Sequence, residues 1–533
     1  MRKSGLTLIL ATLPAIASAT SAGMTNRIVD AAYNHGEVMQ TAAHLTDRIG
    51  SRLTNSPGMR EAERWTQQQF KQWGLQNVHA EGFDFGRGWW IESSMVRMTS
   101  PRPIMLRAIP IAWTPATKGT ISAPIVVAPI SDEKHFAEWK GKLAGKIVLV
   151  SLPAAPKDAT EAPFLRMTDS QIKELDSFEA PNHDPDSLKS GLKRRTFSLK
   201  LDAFLKSEGA LAWARMGRRA NGLVGGDGYN YKVGQTPQLP AVEIAAEDYR
   251  RLARLAKLGP VSLELNNNVH FEDADHRAYN VIAEIPGSDA SAGYVMAGAH
   301  LDSWMAADGA ADNAAGSSVV MEAARILSRL GVQPKRTIRF VLWSGEEQGT
   351  LGSYAYVEKH LAKRPPVNDA ELAAGGPGVA SRVSFPVTPL PGFKDMTAYF
   401  NMDNGSGKIR GIHAEGNFAA VPVLRSWLAP FASLGASAVV AKPTGSTDHV
   451  GMVRLGLPAF QFIQDPLDYS STVHHSSADS FDHLRPDDLR QASVIMASLL
   501  LAAANTDKPI PANVLPSQPA DSDPFRYRDP SLD

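Results

Sequence analysis

The sequence predicts an α/β fold: a mixed, mostly parallel sheet flanked by helices on both faces, with an inserted, mainly β domain. Two observations support this prediction. From Tyr279 onward, β-type segments alternate with segments of helical spacing, as in strands joined by crossover helices. Between residues 111 and 265 the apolar runs are shorter and are separated by Pro and Gly, which indicates a small unit of short strands.

The second half of the chain gives the clearest elements. Residues 337–343 form an almost purely apolar run, which is typical of a strand buried on both faces. The helix predicted at 314–330 is followed by Gly331, a common residue after a helix end. The remaining predicted strands are 279–285, 294–299, 397–402 and 459–463, and the remaining predicted helices are 421–434 and 486–505.

The whole chain divides into five predicted segments. A helical stretch is predicted from Met24 to Trp73, with helical spacing at 60–72 and Gly74 as its end. Within the insert, residues 153–193 are rich in Pro, Asp, Lys and Ser and are predicted as a long loop with at most one short helix. The segments are a signal peptide (1–19), the N-terminal part of the catalytic domain (24–110), the insert (111–265), the main catalytic domain (270–505) and a Pro-rich tail (506–533).

The first residues have the three-part pattern of a secretory signal. Arg2 and Lys3 precede an apolar run over 6–16, and the small residues 17–19 provide a cleavage site. The run is too short to span a bilayer, which needs about 20 apolar residues. We therefore expect an exported protein, periplasmic or extracellular, with no membrane anchor in the mature chain.

Composition excludes several classes of function. The 55 Lys and Arg residues balance the 55 Asp and Glu residues, which argues against nucleic acid as the main partner. The chain has no cysteine, so it contains no disulfide, no thiolate metal site and no cysteine nucleophile. Any metal must be held by His, Asp and Glu side chains.

Ionisable residues follow the predicted strands at their carboxyl ends, where open α/β sheets bind their ligands. Each such residue alone is more often structural, but several segments bring them to one edge of one sheet. Burying so many carboxylates together without a cation would be electrostatically unfavourable. The residues are His300 and Asp302, Asp308 and Asp312, Glu346 and Glu347, Asp403, and His474 and His475.

Four segments carry a specific resemblance: HLDSW from His300, DNAAG from Asp312, PKRTIRFVLWSGEEQGTLGS from Pro334, and HHSSADS from His474. They resemble the co-catalytic zinc peptidases of the aminopeptidase and glutamate carboxypeptidase superfamily, most closely the carboxypeptidase Q, or plasma glutamate carboxypeptidase, branch. The resemblance extends to IGSRLTNSPG from Ile49, and the insert resembles a protease-associated domain.

The resemblance implies two zinc ions per chain and a role for each matching residue. His300 corresponds to a ligand of the first zinc, Asp312 to the bridging carboxylate, Glu347 to a terminal ligand and Asp403 to the terminal carboxylate of the other zinc. Of the two neighbouring histidines, His475 stands four residues before an acidic residue, as the family ligand does.

Further roles follow from the same resemblance. His474 is expected beside the substrate, and Asp302 is expected to receive the second ring N–H of His300. Glu346 corresponds to the general base that takes a proton from water. Asp448 and His449 are assigned provisionally to the substrate pocket. Relatives also hold a cis peptide after the bridging aspartate, so we expect one at Asp312–Asn313.

The expected function is a secreted zinc exopeptidase that hydrolyses dipeptides or short peptides, either as a carboxypeptidase Q-like dipeptidase or as an aminopeptidase. Two alternatives remain open: a glutaminyl cyclase-like enzyme, which normally uses one zinc, and a metal-free binding or receptor protein. The complete ligand set disfavours both. The sequence leaves open which peptide end is recognised and the oligomeric state, with a homodimer among the options. The insert is expected to wall the cleft, the alternative being a packing module on the far side.

Overall fold

The computed structural model describes residues 22–155, 162–177, 187–445 and 447–519. The predicted signal peptide (1–19), the end of the predicted tail and parts of the predicted 153–193 loop lie outside the described residues. In the described ranges the chain forms two large sheets, one built mostly from the second half of the sequence and one from residues 88–272.

The elements have the following bounds. The strands are β1 (Gln76–Asp84), β2 (Gly88–Ser100), β3 (Ile104–Met105), β4 (Ala108–Pro110), β5 (Ile121–Val127), β6 (Ile147–Leu149), β7 (Ala212–Met216), β8 (Ala241–Ile244), β9 (Ser262–Glu272), β10 (Arg277–Ile285), β11 (Tyr294–His300), β12 (Thr337–Trp343), β13 (Ala362–Lys363), β14 (Thr388–Pro389), β15 (Met396–Asn401), β16 (Ile409–His413), β17 (Ala438–Val440) and β18 (Ala459–Gln464). The α-helices are α1 (Ala22–Tyr33), α2 (Val38–Ala43), α3 (Pro57–Gln72), α4 (Phe136–Trp139), α5 (Asp169–Glu174), α6 (Ser187–Ser207), α7 (Ala246–Ala256), α8 (Ala315–Arg329), α9 (Leu351–Tyr356), α10 (Ala370–Ala373), α11 (Pro377–Val383), α12 (Val421–Leu428), α13 (Val450–Val453) and α14 (Pro486–Asn505). Short 3-10 or π-helical segments cover His44–Ile49, Glu133–His135, Ala310–Ala314, Val357–Leu361, Pro391–Lys394, Ala429–Leu434, Tyr469–Val473 and Phe481–His483.

The first sheet, which we call the catalytic sheet, has the strand order β1-β10-β12-β11-β15-β18-β16-β17. Its centre, β12-β11-β15-β18, is parallel throughout. Towards the edges, β1 and β10 pair antiparallel, as do β10 with β12 and β16 with β18. The predicted mixed α/β fold is therefore confirmed, with the parallel strands concentrated in the middle.

Both faces of the catalytic sheet are buried, because successive side chains of its strands point to opposite cores. Val281 of β10 packs into a large core with α1, α2, α8 and α14. The next residue, Ile282, packs on the other face with a smaller core that includes Tyr356 of α9 and Met452 of α13. This sandwiching explains why the central strands are mostly apolar on both faces.

The second sheet has the order β3-β2-β9-β5-β6-β7-β8-β4 and contains a parallel centre, β5-β6-β7-β8. We call residues 88–272 the second unit. The unit extends beyond the predicted limits of 111 and 265, because the long strands β2 and β9 pair with each other across both limits. Its identity as a protease-associated domain stays a prediction.

The predicted loop 153–193 is wrong at its C-terminal end, since α6 begins at Ser187 and continues to Ser207. Lys, Arg and Ser residues are frequent in the first half of this helix, which gave it the composition of a loop. Leu201 and Leu205 nevertheless pack into buried positions against the second sheet, and Leu192 is buried beside Gly375. Tertiary packing rather than local composition therefore decides the structure here.

The second unit contacts the catalytic region at the carboxyl ends of the central strands. Leu165 and Leu467 exchange backbone hydrogen bonds of 2.8 Å in an antiparallel bridge. Arg166 Nη1 lies 2.9 Å from Asp488 Oδ2 of α14. The side of the second unit that carries these contacts therefore faces the strand ends.

One peptide bond and the character of the helices can be compared with the sequence expectations. The Asp312–Asn313 peptide bond is cis, as the resemblance implied. None of the helices in the described ranges combines the length and the apolar character needed to cross a bilayer.

Candidate metal centre and active site

The carboxyl ends of the central strands bring the site residues together. His300 is the last residue of β11 and lies opposite Trp343, the last residue of β12. Glu346 and Glu347 follow β12 after a tight turn at Gly345, whose φ of 72° favours glycine. Asp403 comes two residues after β15 ends.

Two more ligand candidates come from segments outside the strands. Asp312 lies in the Ala310–Ala314 segment that leads into α8, and His475 follows the Tyr469–Val473 segment. His475 has a φ of 51°, in the left-handed region that residues other than glycine rarely adopt. The contacts that hold this loop therefore matter for the site.

The side chains form two clusters that share one carboxylate. His300 Nε2 lies 3.2 Å from Asp312 Oδ1 and 3.2 Å from Asp403 Oδ1. His475 Nε2 lies 3.3 Å from Asp312 Oδ2 and 3.0 Å from Glu347 Oε2. Asp312 thus offers one oxygen to each cluster. The expectation that placed Asp403 with the other zinc is not met, since Asp403 lies beside His300.

The donor atoms fit metal ions. Three sets of His, Asp and Glu side chains have ligand atoms within 4.8 Å of one another, and Asp312 belongs to two of them. Within the described part of the chain, the buried atoms Asp312 Oδ2 and Glu347 Oε1 have no hydrogen-bond partner. Unpartnered buried carboxylate oxygens are costly unless a cation binds them. Imidazole nitrogens and carboxylate oxygens are ordinary zinc ligands.

The electrostatics of the site also favour a cation. Burial raises the pKa of Glu346 well above its ordinary value, and nearby Asp403 and Asp448 raise it further. Burial likewise raises the pKa of Glu347, with Asp312 as the next cause. Burial lowers the pKa of His300, but the Asp403 and Asp312 carboxylates outweigh this effect and raise the pKa well above 6.5. A bound divalent cation would reverse these shifts by stabilising the deprotonated ligands.

Asp302 does not make the contact expected of it. His300 Nδ1 lies 2.9 Å from the main-chain oxygen of Asp302 and 3.8 Å from its carboxylate oxygen Oδ1. The carboxylate instead accepts hydrogen bonds from the backbone N–H groups of Glu346 and Glu347, at 3.2 and 3.3 Å, and from Thr54 Oγ1 at 2.9 Å. Asp302 therefore orients the imidazole through its backbone and the Glu346–Glu347 turn through its side chain.

The two adjacent histidines differ in their distance from the shared carboxylate. His474 Nε2 is 3.8 Å from Asp312 Oδ2, compared with 3.3 Å for His475, and the His474 side chain is more exposed, 41% against 22%. The two rings are 3.9 Å apart between centroids. This geometry is compatible with His475 as the ligand and His474 as its neighbour on the open side.

The provisional pocket residues Asp448 and His449 do not line an open pocket. Both are buried, and His449 Nε2 lies 3.2 Å from Glu415 Oε1. Burial raises the pKa of Asp448 to about 8. The His449 ring therefore lies against the buried Glu415 carboxylate. Asp448 is buried as well, so its carboxylate does not line the open surface of the site.

Two charged residues that support the site were not assigned from sequence. Asp479 is buried, and its carboxylate accepts hydrogen bonds from the N–H groups of Ala311 and Asp312, at 2.7 and 3.0 Å. Burial and then Asp312 raise its pKa to about 7. Asp479 is the acidic residue four positions after His475, and this spacing is the sequence signal for it.

The other is Arg52, which is fully buried and whose guanidinium donates to main-chain oxygens in all of its described hydrogen bonds. It donates to Leu301 O at 2.8 Å, Asp308 O at 2.6 Å and Gly309 O at 2.9 Å. The guanidinium thereby fixes the loop between His300 and Asp312. The sequence pointed to Arg52 only through its place in the IGSRLTNSPG segment, which carries part of the family resemblance.

A narrow cavity of about 10 Å³ adjoins the ligand clusters. Trp304 forms one wall and contacts the His475 ring edge-on, with centroids 6.1 Å apart. On its other side Trp304 meets Tyr229 of the second unit at 5.7 Å and Trp113 at 6.3 Å. The second unit therefore borders the site. The residues lining the cavity are Trp304, Ala306, Ala307, Gly309, Asp312, Glu347, His475, Ser476 and Asp479.

Comparisons with known proteins indicate a peptidase. Residues 280–500 match the sequence profile of Peptidase family M28. Carboxypeptidase Q of Bos taurus is 27% identical over 486 residues, covering 88% of this chain and 85% of that protein, and carboxypeptidase Q of Mus musculus is 25% identical over 480 residues with the same coverage.

Two solved structures share the fold. The peptidase M28 precursor from Shewanella amazonensis has a TM-score of 0.63 at 24% identity and covers 93% of this chain and 98% of its own. A zinc aminopeptidase from Bacillus subtilis has a TM-score of 0.56 at 19% identity, with 90% and 97% covered. The likeness in fold thus extends over nearly the whole chain. The relatives, the clustered ligands and the similarity of residues 280–500 to Peptidase family M28 together identify the chain as a zinc metallopeptidase, a hydrolase.

Proposed function

We propose that this protein is an exopeptidase that uses two zinc ions to hydrolyse dipeptides or short peptides, with Glu346 as the general base. The observation that carries the proposal is the sharing of Asp312: its two carboxylate oxygens face two separate clusters, His300 with Asp403 and His475 with Glu347. A carboxylate that offers one oxygen to each of two sites is suited to bridge two ions.

The chemistry can be divided between the ions and the protein. Zinc bound at this position supplies Lewis acidity, which lowers the pKa of water and polarises a peptide carbonyl. Glu346 shares a candidate ligand group with His300 and Asp403, so its carboxylate lies close enough to receive a proton there. It would return that proton to the leaving amine. The Asp302 carboxylate holds the Glu346 backbone in place during both steps.

The surroundings of the site support a small substrate. The cavity beside the ligands is small, Trp304 lines it, and Tyr229 and Trp113 pack against Trp304. Tyr229 and Trp113 belong to the second unit, which supports the idea that this unit walls the cleft. His474, on the more exposed side of His475, is the proposed substrate neighbour.

The choice of peptide end is tested by substrate chemistry. Carboxypeptidase Q relatives support a dipeptidase that needs a free C-terminus, whereas the zinc aminopeptidase neighbour supports recognition of a free N-terminus. A dipeptide panel with N-acetylated and C-amidated versions separates the two. Loss of turnover on C-amidation indicates the former, and loss on N-acetylation the latter. If no peptide is cleaved by protein that holds two zinc ions, the exopeptidase proposal is wrong.

The number of ions is tested separately. Metal analysis of the protein, purified with zinc and freed of excess, should give two zinc ions per chain. One ion per chain would contradict the bridging role of Asp312 and would favour the single-zinc cyclase alternative.

We also propose that the protein is exported and loses residues 1–19. Arg2 and Lys3, the apolar run and the small residues before Thr20 support this. N-terminal sequencing of protein recovered from the periplasm or medium should begin at Thr20. Recovery of the intact N-terminus inside the cell would contradict export.

A further inference from the structure

A loop of the second unit lies directly against the segment that carries His474 and His475. Ser477 N donates a 2.8 Å hydrogen bond to Val224 O, and Val224 N donates to Ser477 Oγ at 3.3 Å. A Cβ atom on Gly225 would lie 2.8 Å from the His475 main-chain oxygen. The two backbones are therefore as close as a glycine at this position allows.

Arg219 reinforces this contact from the same loop. Its Nη1 donates to Ser470 O at 2.7 Å and its Nη2 donates to His474 O at 2.6 Å. Burial and then the neighbouring Arg218 lower the pKa of Arg219, so its charge is held in a partly desolvated position. One guanidinium thus joins the beginning and the end of the turn that precedes His475.

The turn needs such support because of the conformation of His475. Its φ of 51° lies in a region disfavoured for a residue with a Cβ atom, and its side chain still has to point at Asp312 and Glu347. A loop held in an unfavourable conformation keeps it only when surrounding contacts determine it. The contacts described here come from another unit of the molecule.

We infer that Arg219 is a positioning residue for the metal ligand His475, through which the second unit sets the affinity of one of the two metal sites. The affected site is the one formed by Asp312, Glu347 and His475; the site of His300 and Asp403 lies on strand ends and is independent of Arg219. The inference rests on the proposed function in that it takes zinc as the ion.

Arg218 provides a matched control. It is adjacent in sequence, its side chain is 66% exposed, and its ion pair is with Asp227 of the second unit, at 3.3 Å. Replacing Arg218 therefore removes the same charge from the same loop but leaves both bonds to the Ser470–His474 turn intact.

The experiment measures zinc binding to the full chain by competition with a chromophoric chelator, for the wild type and the Arg219→Met, Arg219→Lys and Arg218→Met variants. Removing a residue that orients a metal ligand typically weakens metal binding about 10–100-fold. Arg219→Met should weaken one zinc by about this factor and leave the other unchanged. Arg219→Lys, which keeps a charged donor, should show a smaller loss, and Arg218→Met should bind both ions like the wild type.

A second readout needs no zinc. Amide hydrogen exchange of residues 470–477 in the metal-free protein should be faster in Arg219→Met than in Arg218→Met, while exchange in β11 and β12 stays the same. Gly225→Ala perturbs the same turn without changing Arg219, because the added Cβ atom must displace the His475 backbone. It should reproduce the selective zinc loss, and it decides the question if Arg219→Met does not fold.

Three results would overturn the inference: unchanged affinity at both sites in Arg219→Met, equal weakening of both sites, or equal losses in the Arg218 and Arg219 variants. A wild-type protein that binds fewer than two zinc ions would contradict the proposed function instead. In that case unchanged exchange of residues 470–477 in Arg219→Met would still refute the positioning role, and selectively faster exchange would support it.

Discussion

The two halves of the candidate metal centre are built in different ways. His300 is fully buried at the end of a central parallel strand, and its Nδ1 is held by the main chain two residues further on. His475 is partly exposed, lies on a loop with positive φ, and depends on contacts from the second unit. The His300 half of the centre is therefore fixed by the catalytic sheet, and the His475 half is fixed by packing against the second unit. We expect perturbations to affect the two halves unequally.

The largest effect should come from the residue common to both halves. Asp312→Ala removes an oxygen from each cluster, so both zinc ions should be lost and turnover should fall to background. Zinc analysis and dipeptide hydrolysis measure this. Asp308→Ala, in the same loop, is the control, since Arg52 contacts the main-chain oxygen of Asp308 rather than its carboxylate. Retention of both ions in Asp312→Ala would show that the halves do not share this carboxylate.

The next effect separates proton transfer from metal binding. Glu346→Gln keeps the size of the side chain and removes the base, so turnover should fall by about 10²–10⁴-fold while zinc content persists. The neighbouring Glu347→Gln should instead weaken the zinc held with His475. A near-normal rate in Glu346→Gln would mean that another group handles the proton.

A third comparison tests the halves directly. His300→Ala should destabilise the metal-free protein by about 3–5 kcal/mol, because it removes the imidazole beside Asp403 and leaves the buried Asp312 carboxylate with only the more exposed histidines. His475→Ala removes a partly exposed ring and should change stability by about 0–1 kcal/mol. Denaturant unfolding of the chelated proteins gives both values. Equal destabilisation would remove the distinction between a sheet-built half and a loop-built half.

The same distinction explains what the sequence could predict about the fold. The predicted strand 337–343 and helix 486–505 match β12 and α14 in the structure, because an apolar run in a parallel sheet and a long helix are local patterns. The strands β2 and β9 were not recognised. β9 contains Asn266, Asn267 and Asn268, and its pairing with β2 depends on residues about 170 positions away.

The site follows the same rule. The candidate ligands could be located because ionisable residues after apolar strands are visible in a sequence. The residues that hold them could not, since Arg52, Asp479 and Arg219 bind main-chain groups, and a backbone acceptor has no sequence signature. The sequence also gives no sign that His449, a histidine near the expected pocket, is buried against Glu415.

The smallest effect concerns pH. In the metal-free protein, burial raises the pKa of Asp479 from 3.8 to about 7 and that of Asp448 to about 8, and the pKa values of Glu346 and Glu347 are also raised. Between pH 5 and 8 the folded state then binds more protons than the unfolded state, so the free energy of unfolding should fall as pH rises. Burial lowers the pKa of His474, which acts in the opposite direction, but it is a single group against these four carboxyl groups.

Zinc should reverse this slope, because the ion binds deprotonated ligands and competes with protons for them. Thermal unfolding of the chelated protein should give a midpoint at least about 2 °C higher at pH 5 than at pH 8, since about 1 kcal/mol shifts the midpoint of a domain of 150–250 residues by about 2–4 °C. The zinc-loaded protein should be more stable at pH 8 than at pH 5. His475→Ala should change the slope less than His300→Ala, because the His475 ring is partly exposed whereas the His300 ring is buried among the carboxylates. Parallel pH profiles with and without zinc would mean that the buried carboxylates are not the ligands.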